Sequence, residues 1–375
     1  MDFLKRLEQV QNVYNETVNS QEAEAPPAPA APVAGRPPAR RRRKGPAMRG
    51  AGTRGDPEYA KKAEAAVCAN VRMISGCQDA QTSADVQDVS SFGLPDSEGA
   101  GGACTNALLL SAAQGSNTWT SLLQKMQAVL KTKKYTQIPQ LSTSRDLDLS
   151  APFDIMLPDS KNHKALLIGI NYVGQQGELK GCHNDVEAMK EYIIEQGYTD
   201  SPDTMMVLMD DGKHKDPTAA NLAKAFAWLV DGAQEGDSLF MHYSGHGGSM
   251  PDDESEEADA KDETMVPLDY QTVGQIRDDD LYKMLVAPLP VGVEMTIVMD
   301  CCHSGSIFDL PYNIAMTGDL VAAVEAGEQP SLVANENFSV SKVLKVAMDL
   351  YKMQQAGNTD MMAMGQTAAK ALGLF

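Results

Sequence analysis

Two short stretches carry residues whose types and spacing suit covalent catalysis: YSGHGG at 243–248 and DCCHSG at 300–305. The second sets Cys301 and Cys302 side by side after an aspartate and before a histidine. A cysteine thiol is mostly protonated near neutral pH, so it needs an imidazole nearby to take its proton or lower its pKa. Both stretches close apolar segments that read as strands, SLFMHYS (238–244) and EMTIVMD (294–300), and glycine flanks both, leaving room for tight turns. In open parallel sheets, reacting groups collect at the carboxyl ends of the strands. Side chains alternate along a strand, so Cys301 and Cys302 point to opposite sides, whereas Asp300 shares a side with Cys302 and Ser244 shares one with His246. If the two strands are neighbours, His246 reaches a cysteine on the other tip. Taken alone, either cysteine is more often core filler, and His242, inside its strand, reads as a packed core histidine. CCH lacks the paired CxxC or HxxxH spacing of structural zinc sites.

The elements that must position these tips alternate along residues 162–310. ALLIGINY (165–172) is apolar almost throughout, the mark of a parallel strand covered on both faces. A helix follows from NDVEAMKEYIIEQGY, with Asn184 or Asp185 as its expected cap; MMVLMDD (205–211) is the next strand, and Thr218 caps ANLAKAFAWLVDGA. DDDLYKMLVAPL (278–289) is helical. This β-α-β order predicts an α/β fold with a mostly parallel central sheet and helices on both faces.

Residues 58–150 form a smaller αβ unit. VRMISGC (71–77) and IPQLSTS (138–144) read as strands, with Pro139 marking an edge or a strand start; helices are expected at SADVQDV, capped by Thr82 or Ser83, at 102–113 and at 120–133. Residues 1–57 are a Pro/Ala/Arg-rich region too poor in apolar residues to order itself beyond a short amphipathic helix at its start. Residues 151–161 link the two units, 162–320 form the larger one, and 321–375 a C-terminal helical extension, with 339–354 helical.

Charge narrows the partners. Residues 1–57 carry ten Lys or Arg against six Asp or Glu, a net of +4, which leaves −23 on the rest of a chain of formal charge −19. Nucleic acid and anionic membrane surfaces are therefore not expected partners, although Arg40 to Lys44 could serve nuclear import or be a solvated spacer. No run approaches 18 apolar residues, and the N-terminus lacks a signal-peptide core, so a cytoplasmic location is expected. Six cysteines in 375 residues are too sparse for a disulfide scaffold.

YSGHGG, followed 56 residues after its histidine by Cys302 in DCCHSG, resembles the His/Cys dyad of caspase-like cysteine peptidases, and specifically of metacaspases. LIGINY, LKGCHNDV, DETMVPLDY and IRDDDL resemble the metacaspase large subunit; VRMISGCQDAQTSADV and LLQKMQAVLKTKKYTQIPQLSTS resemble the small one. Here the small-subunit-like part comes first, which is similar to type III metacaspases. The resemblance implies a nucleophile at Cys302 and a general base at His246, with Cys301 in a variable position. It implies cleavage of protein or peptide substrates after Lys or Arg, through an acidic pocket lined by Cys182, Asp185, Ser244 and Asp300; Asp79 and Asp85 are further contributors to the cleft. The physical demand is that a cation entering a partly desolvated recess finds a carboxylate. The resemblance also implies calcium, placed at Asp262, Asp278, Asp279 and Asp309. DDESEEADAKDE (252–263) holds eight acids in twelve residues, more than one ion can use, so most of it reads as a solvated loop. Self-cleavage at Arg145, Lys161 or Lys164 and a monomeric state complete the expectation. The competing class is a non-catalytic caspase-like scaffold, against which the intact His246, Cys302, Asp185 and Asp300 argue.

Overall fold

The strand Ser238–Ser244 buries every residue, because helices cover both faces of the sheet it belongs to. The computed structural model describes residues 57–76, 85–86, 100–115, 117–135, 137–251, 261–302, 307–314, 332–335 and 338. Its strands are β1 (Asn70–Ser75), β2 (Asp85–Val86), β3 (Gly101–Gly102), β4 (Gln140–Thr143), β5 (His163–Gly169), β6 (Met205–Met209), β7 (Ser238–Ser244), β8 (Gly247–Pro251), β9 (Lys261–Met265), β10 (Ile276–Arg277), β11 (Glu294–Asp300), β12 (Tyr312–Ile314) and β13 (Leu332–Ala334). Its main helices are α1 (Pro57–Ala66), α2 (Ala103–Ala113), α3 (Trp119–Thr132), α4 (Cys182–Glu195) and α5 (Ala219–Val230).

Eight strands form one sheet in the order β13-β12-β4-β1-β11-β7-β5-β6. The five from β1 to β6 in that order run parallel, and β4, β12 and β13 are added antiparallel. The smaller N-terminal unit thus shares a sheet with the larger one: β1 lies directly beside β11. One sheet face, carrying Phe240 and Val298, packs on Ala107 and Leu108 of α2, Leu122 and Met126 of α3, and Met189 of α4. The other, carrying Met241, Tyr243, Ile297 and Met299, packs on Leu222 and Phe226 of α5 and on Leu285. This is the α/β, mostly parallel arrangement that the alternating elements predict.

Local signals explain most boundaries. Thr118 and Ser121 make a reciprocal cap at the start of α3, with bonds of 3.1 and 2.8 Å. Thr218 caps α5 as expected, accepting from the Asn221 amide at 3.3 Å. Pro139 stands just before β4, which is flanked by β1 and β12, so it marks a strand start and not a sheet edge. Two expectations need correction. Asp85 and Val86, expected in a helix, form β2 and pair with Gly101 and Gly102; β-branched Val86 favours an extended strand over a helix. Neither Asn184 nor Asp185 caps α4. The helix begins earlier, at Cys182, whose amide is taken by Asn171 Oδ1 at 3.0 Å, so a side chain distant in sequence provides the capping oxygen.

The segment joining the two units is packed against the molecule. Leu149 O accepts from the Thr120 amide at 3.0 Å, Ile155 is buried, and the Leu157 amide reaches Ser238 Oγ at 3.0 Å. Of the three expected self-cleavage points, Arg145 donates to Val67 O and Cys68 O at 2.6 and 2.9 Å, and Lys164 lies within β5. Lys161 stands just before β5, its amide on Gly236 O at 3.0 Å and its ammonium on Glu235 O at 2.9 Å. Among the described residues, no helix is long and apolar enough to cross a membrane. The helix expected at 339–354 lies outside the described residues.

Candidate active site

Strands β7 and β11 are neighbours in register, with Tyr243 opposite Met299 and Ser244 opposite Asp300. His246 and Cys302 each lie two residues beyond that last pair, on the loops that leave the two neighbouring strand ends. The close approach is visible at Gly247, where any Cβ would overlap the carbonyl of Cys302 and come within 3.2 Å of Cys301 Sγ. A larger residue there would push the histidine loop off the cysteine loop, which is why glycine follows the histidine. The paired cysteines separate as alternation requires: Cys301 is 1% exposed in the apolar core with Met299 and Ile297, while Cys302 is half-buried at the surface. His303 lies outside the described residues.

The His246 ring is oriented by the loop after β5. Its Nε2 lies 2.6 Å from the Gly177 carbonyl. A carbonyl only accepts, so Nε2 carries the proton and Nδ1 is left as the basic nitrogen of the neutral ring. Gly177 itself sits at φ 83° with His246 Nε2 3.2 Å from where a Cβ would be, which excludes other residues on two counts. His242 is fully buried two strand positions before Ser244, its Nε2 3.1 Å from Thr105 Oγ1, and burial drives its pKa down to about 3. It is a neutral core side chain.

Three of the four expected pocket residues, Asp185, Ser244 and Asp300, come together, buried against the start of α2, and Cys182 lies one turn before Asp185 on α4. Asp185 and Asp300 face each other across Gly102, the residue before α2, where a Cβ would overlap the Asp300 carboxylate and approach Asp185 Oδ2 to 2.8 Å. Both Asp185 oxygens accept from the Gly102 amide at 2.8 Å, with further donors at Ser244 Oγ (2.7 Å) and Asn106 Nδ2 (3.3 Å). Asp300 Oδ2 accepts from the Thr105 amide at 2.7 Å. The first amides of a helix have no partner within it, and its N-terminus carries positive partial charge. Two carboxylates from other elements answer both needs, and α2 has no side-chain cap of its own. Asp185, Asp300, Ser244 and Cys182 are all buried. Gly102, Thr105 and Asn106 are functional neighbours that the sequence reading missed; GGACTN gives no sign of what its amides would meet. Asp85 contributes backbone pairing to this region through β2, and Asp79 lies outside the described residues.

The expected calcium residues are less gathered. Asp262 is on β9 and ion-paired with Arg277, and Asp278 and Asp279 open the helical turn after β10. Asp309, at φ 42°, stands beyond β11. Carboxylate oxygens suit a hard cation, but among the described residues no three His, Cys, Asp or Glu side chains converge closely enough to hold a metal ion.

An α/β sheet with a cysteine and a histidine beyond adjacent parallel strand ends is an arrangement suited to thiol chemistry. Residues 163–311 match the metacaspase peptidase C14 domain, and residues 8–149 match the caspase domain. The chain is 46% identical to Metacaspase III c of Phaeodactylum tricornutum over 76% of its own length and 85% of that protein. It is 47% identical to Metacaspase-1 of Mycosarcoma maydis over 50% of this chain and 47% of the relative, and 43% identical to Metacaspase-1B of Neurospora crassa over 52% and 47%. It therefore spans about half the length of those two fungal relatives. The chain belongs to the metacaspase family of cysteine peptidases.

Proposed function

We propose that this protein is a calcium-dependent cysteine endopeptidase that cleaves protein substrates after Lys or Arg, with Cys302 as nucleophile and His246 as general base. The approach of Gly247 to the Cys302 carbonyl is the observation that carries this reading, because it requires the two loops to meet. With Nε2 committed to Gly177, Nδ1 takes the Cys302 proton. The thiolate attacks the scissile carbonyl, and the imidazolium returns its proton to the leaving amine. Water activated by the same ring then hydrolyses the thioester.

Asp185 and Asp300 are the groups suited to a cationic P1 side chain, with Ser244 and Cys182 beside them. In the described conformation their oxygens face the amides of Gly102 and Thr105. A guanidinium or ammonium that entered would have to share or replace those donors. It would bring a full positive charge to carboxylates that neutral amide and hydroxyl donors now hold. The calcium reading rests on the family resemblance and on the oxygen chemistry of Asp262, Asp278, Asp279 and Asp309.

The test is hydrolysis of paired fluorogenic peptides, Arg or Asp at P1, with calcium and with excess chelator, by wild type and Cys302→Ala. Arg-selective, calcium-dependent hydrolysis lost in the variant is expected. Loss in Cys301→Ala with activity retained in Cys302→Ala would overturn the nucleophile assignment. Equal cleavage of both peptides would overturn the pocket assignment, and undiminished activity in chelator the calcium assignment.

A further inference from the structure

The motif LIGINY ends at Tyr172, which has no part in the mechanism above but lies directly under His246. Its ring centroid is 4.7 Å from that of the imidazole, with an interplanar angle of 32°. Tyr172 is fully buried and adopts φ 53°, a left-handed backbone conformation that a bulky residue enters only at a cost. The conformation belongs to a turn closed by the Gln175 amide on the Tyr172 carbonyl at 2.9 Å, and that turn leads to Gly177, the residue that holds His246 Nε2.

The phenol oxygens are more telling than the rings. The His246 amide donates to Tyr172 Oη at 3.0 Å, and Tyr172 in turn donates to Val266 O at 2.7 Å. At the other side of the same residue, Tyr243 Oη donates to the His246 carbonyl at 2.7 Å. The two hydroxyls stand 3.3 Å apart. They also explain the glycine before the histidine, since a Cβ at Gly245 would lie 2.7 Å from Tyr243 Oη and 3.3 Å from Tyr172 Oη. Burial holds both phenol pKa values up, so both remain protonated donors through the working pH range.

We infer that Tyr172 and Tyr243 are positioning residues for the base: two buried phenols that grip the amide and the carbonyl of His246 and, with the Tyr172 ring face, fix the imidazole against the Cys302 loop. The inference rests on the reading of His246 as base. A small misplacement of a catalytic group costs up to about a hundredfold in rate, so a device that fixes the main chain of the base acts on turnover and leaves substrate affinity alone.

The experiment uses full-length protein and the variants Tyr172→Phe, Tyr243→Phe and His246→Ala. Each is measured for kcat and KM on an Arg peptide, and for the pH dependence of iodoacetamide alkylation of Cys302, followed by mass spectrometry of its peptide. Each Phe variant keeps its ring and loses one bond to His246. Its kcat should fall by roughly ten- to a hundredfold with KM little changed, and the alkylation midpoint should move up, toward that of His246→Ala. Wild-type kcat and an unmoved alkylation profile in both Phe variants would overturn the inference, as would a fall in kcat matched by a rise in KM with no change in profile. Should a Phe variant fail to fold, amide hydrogen exchange at His246 in the wild type decides: slow exchange is expected, and exchange at the rate of an open loop refutes the grip. If His246→Ala itself keeps wild-type activity and alkylation, the base assignment fails instead.

Discussion

Two groups of carboxylates flank the strand tips, and they are neutralised in different ways. Asp185 and Asp300 are buried and answered by fixed main-chain amides at the start of α2, with Ser244 and Asn106 completing the shell. Asp262 is answered by Arg277, a long side chain one strand away, and its neighbours Asp278 and Asp279 do not converge with it on a common point. The first arrangement is set by the fold itself, since the amides belong to a helix packed in the core. The second includes a side-chain cation, Arg277, that another cation could replace. A carboxylate pair held by backbone is set before any ligand arrives; a carboxylate held by an arginine can exchange that partner for another cation. The difference can be attacked from either side.

Replacing Asp185 by Asn should have the largest effect. It removes one charge from the buried pair and leaves the Gly102 and Ser244 donors facing a weaker acceptor. Losing one partner of a buried charged pair costs several kcal/mol, so kcat/KM for an Arg peptide should fall by about 3 kcal/mol, roughly a hundredfold. A peptide with a neutral P1 residue should lose far less. An equal loss on both peptides would show that Asp185 holds the fold and not the substrate.

Crowding the recess from the helix side comes next. Gly102→Ala places a Cβ on the Asp300 carboxylate, and overpacking of this kind costs about 2 kcal/mol. Gly115→Ala is the control, at φ 92° with nothing near its Cβ position, and costs only backbone strain of about 1 kcal/mol. Thermal unfolding with a larger drop for Gly115→Ala than for Gly102→Ala would mean that the helix start yields easily, and that the recess is soft.

The contrast between the two groups also marks how far the sequence could be read. The parallel strands were legible because burial on both faces makes continuous apolar runs, as in SLFMHYS, and the boundaries of β7 and β11 match the motif edges. The split between Cys301 and Cys302 followed from strand alternation alone. Closure of the recess was not legible. It depends on a contact between Gly102 and Asp185 across 83 positions, and no local pattern records which amides will meet a carboxylate. Asp185 was read as a helix cap for the same reason: a carboxylate near a helix start has a local use in sequence, and only packing shows that it caps a different helix. Tyr172 closes the apolar run ALLIGINY, and nothing in that run marks what its hydroxyl will meet.

Loosening the second group gives a smaller and opposite effect. Arg277→Gln takes the guanidinium away from Asp262, a buried carboxylate paired with a partly exposed arginine. If an ion competes with Arg277 for this carboxylate, the calcium concentration for half-maximal activity should fall by several-fold. Calcium titration of peptidase activity reads it directly. An unchanged or higher midpoint would remove Asp262 from the ion-binding set.

Asp210 extends the amide-held class and gives the smallest effect. It lies beyond β6, with Oδ1 on the Asn171 amide at 2.8 Å and the His183 ring at 2.6 Å, and Oδ2 on the Val173 amide at 3.1 Å. Burial works to raise its pKa, but the His183 ring and the two amides outweigh it and hold the carboxyl below the usual carboxylate range. A depressed carboxyl pKa stabilises the folded state above the unfolded value, about 3.9, and that contribution is lost as pH falls through the folded value. Asp210→Asn keeps one acceptor and should lose about 0.5 kcal/mol at neutral pH, with the gap between wild type and variant closing as the pH is lowered below 4. Because two of the three partners are fixed amides, added salt should barely narrow the neutral-pH gap, whereas salt should erode whatever Arg277 contributes. Unfolding midpoints at pH 7 and at acid pH, in low and high salt, check both statements. A gap at Asp210 that collapses with salt at pH 7 would place it with the arginine-held carboxylate, and the distinction between the two groups would no longer be one of main chain against side chain.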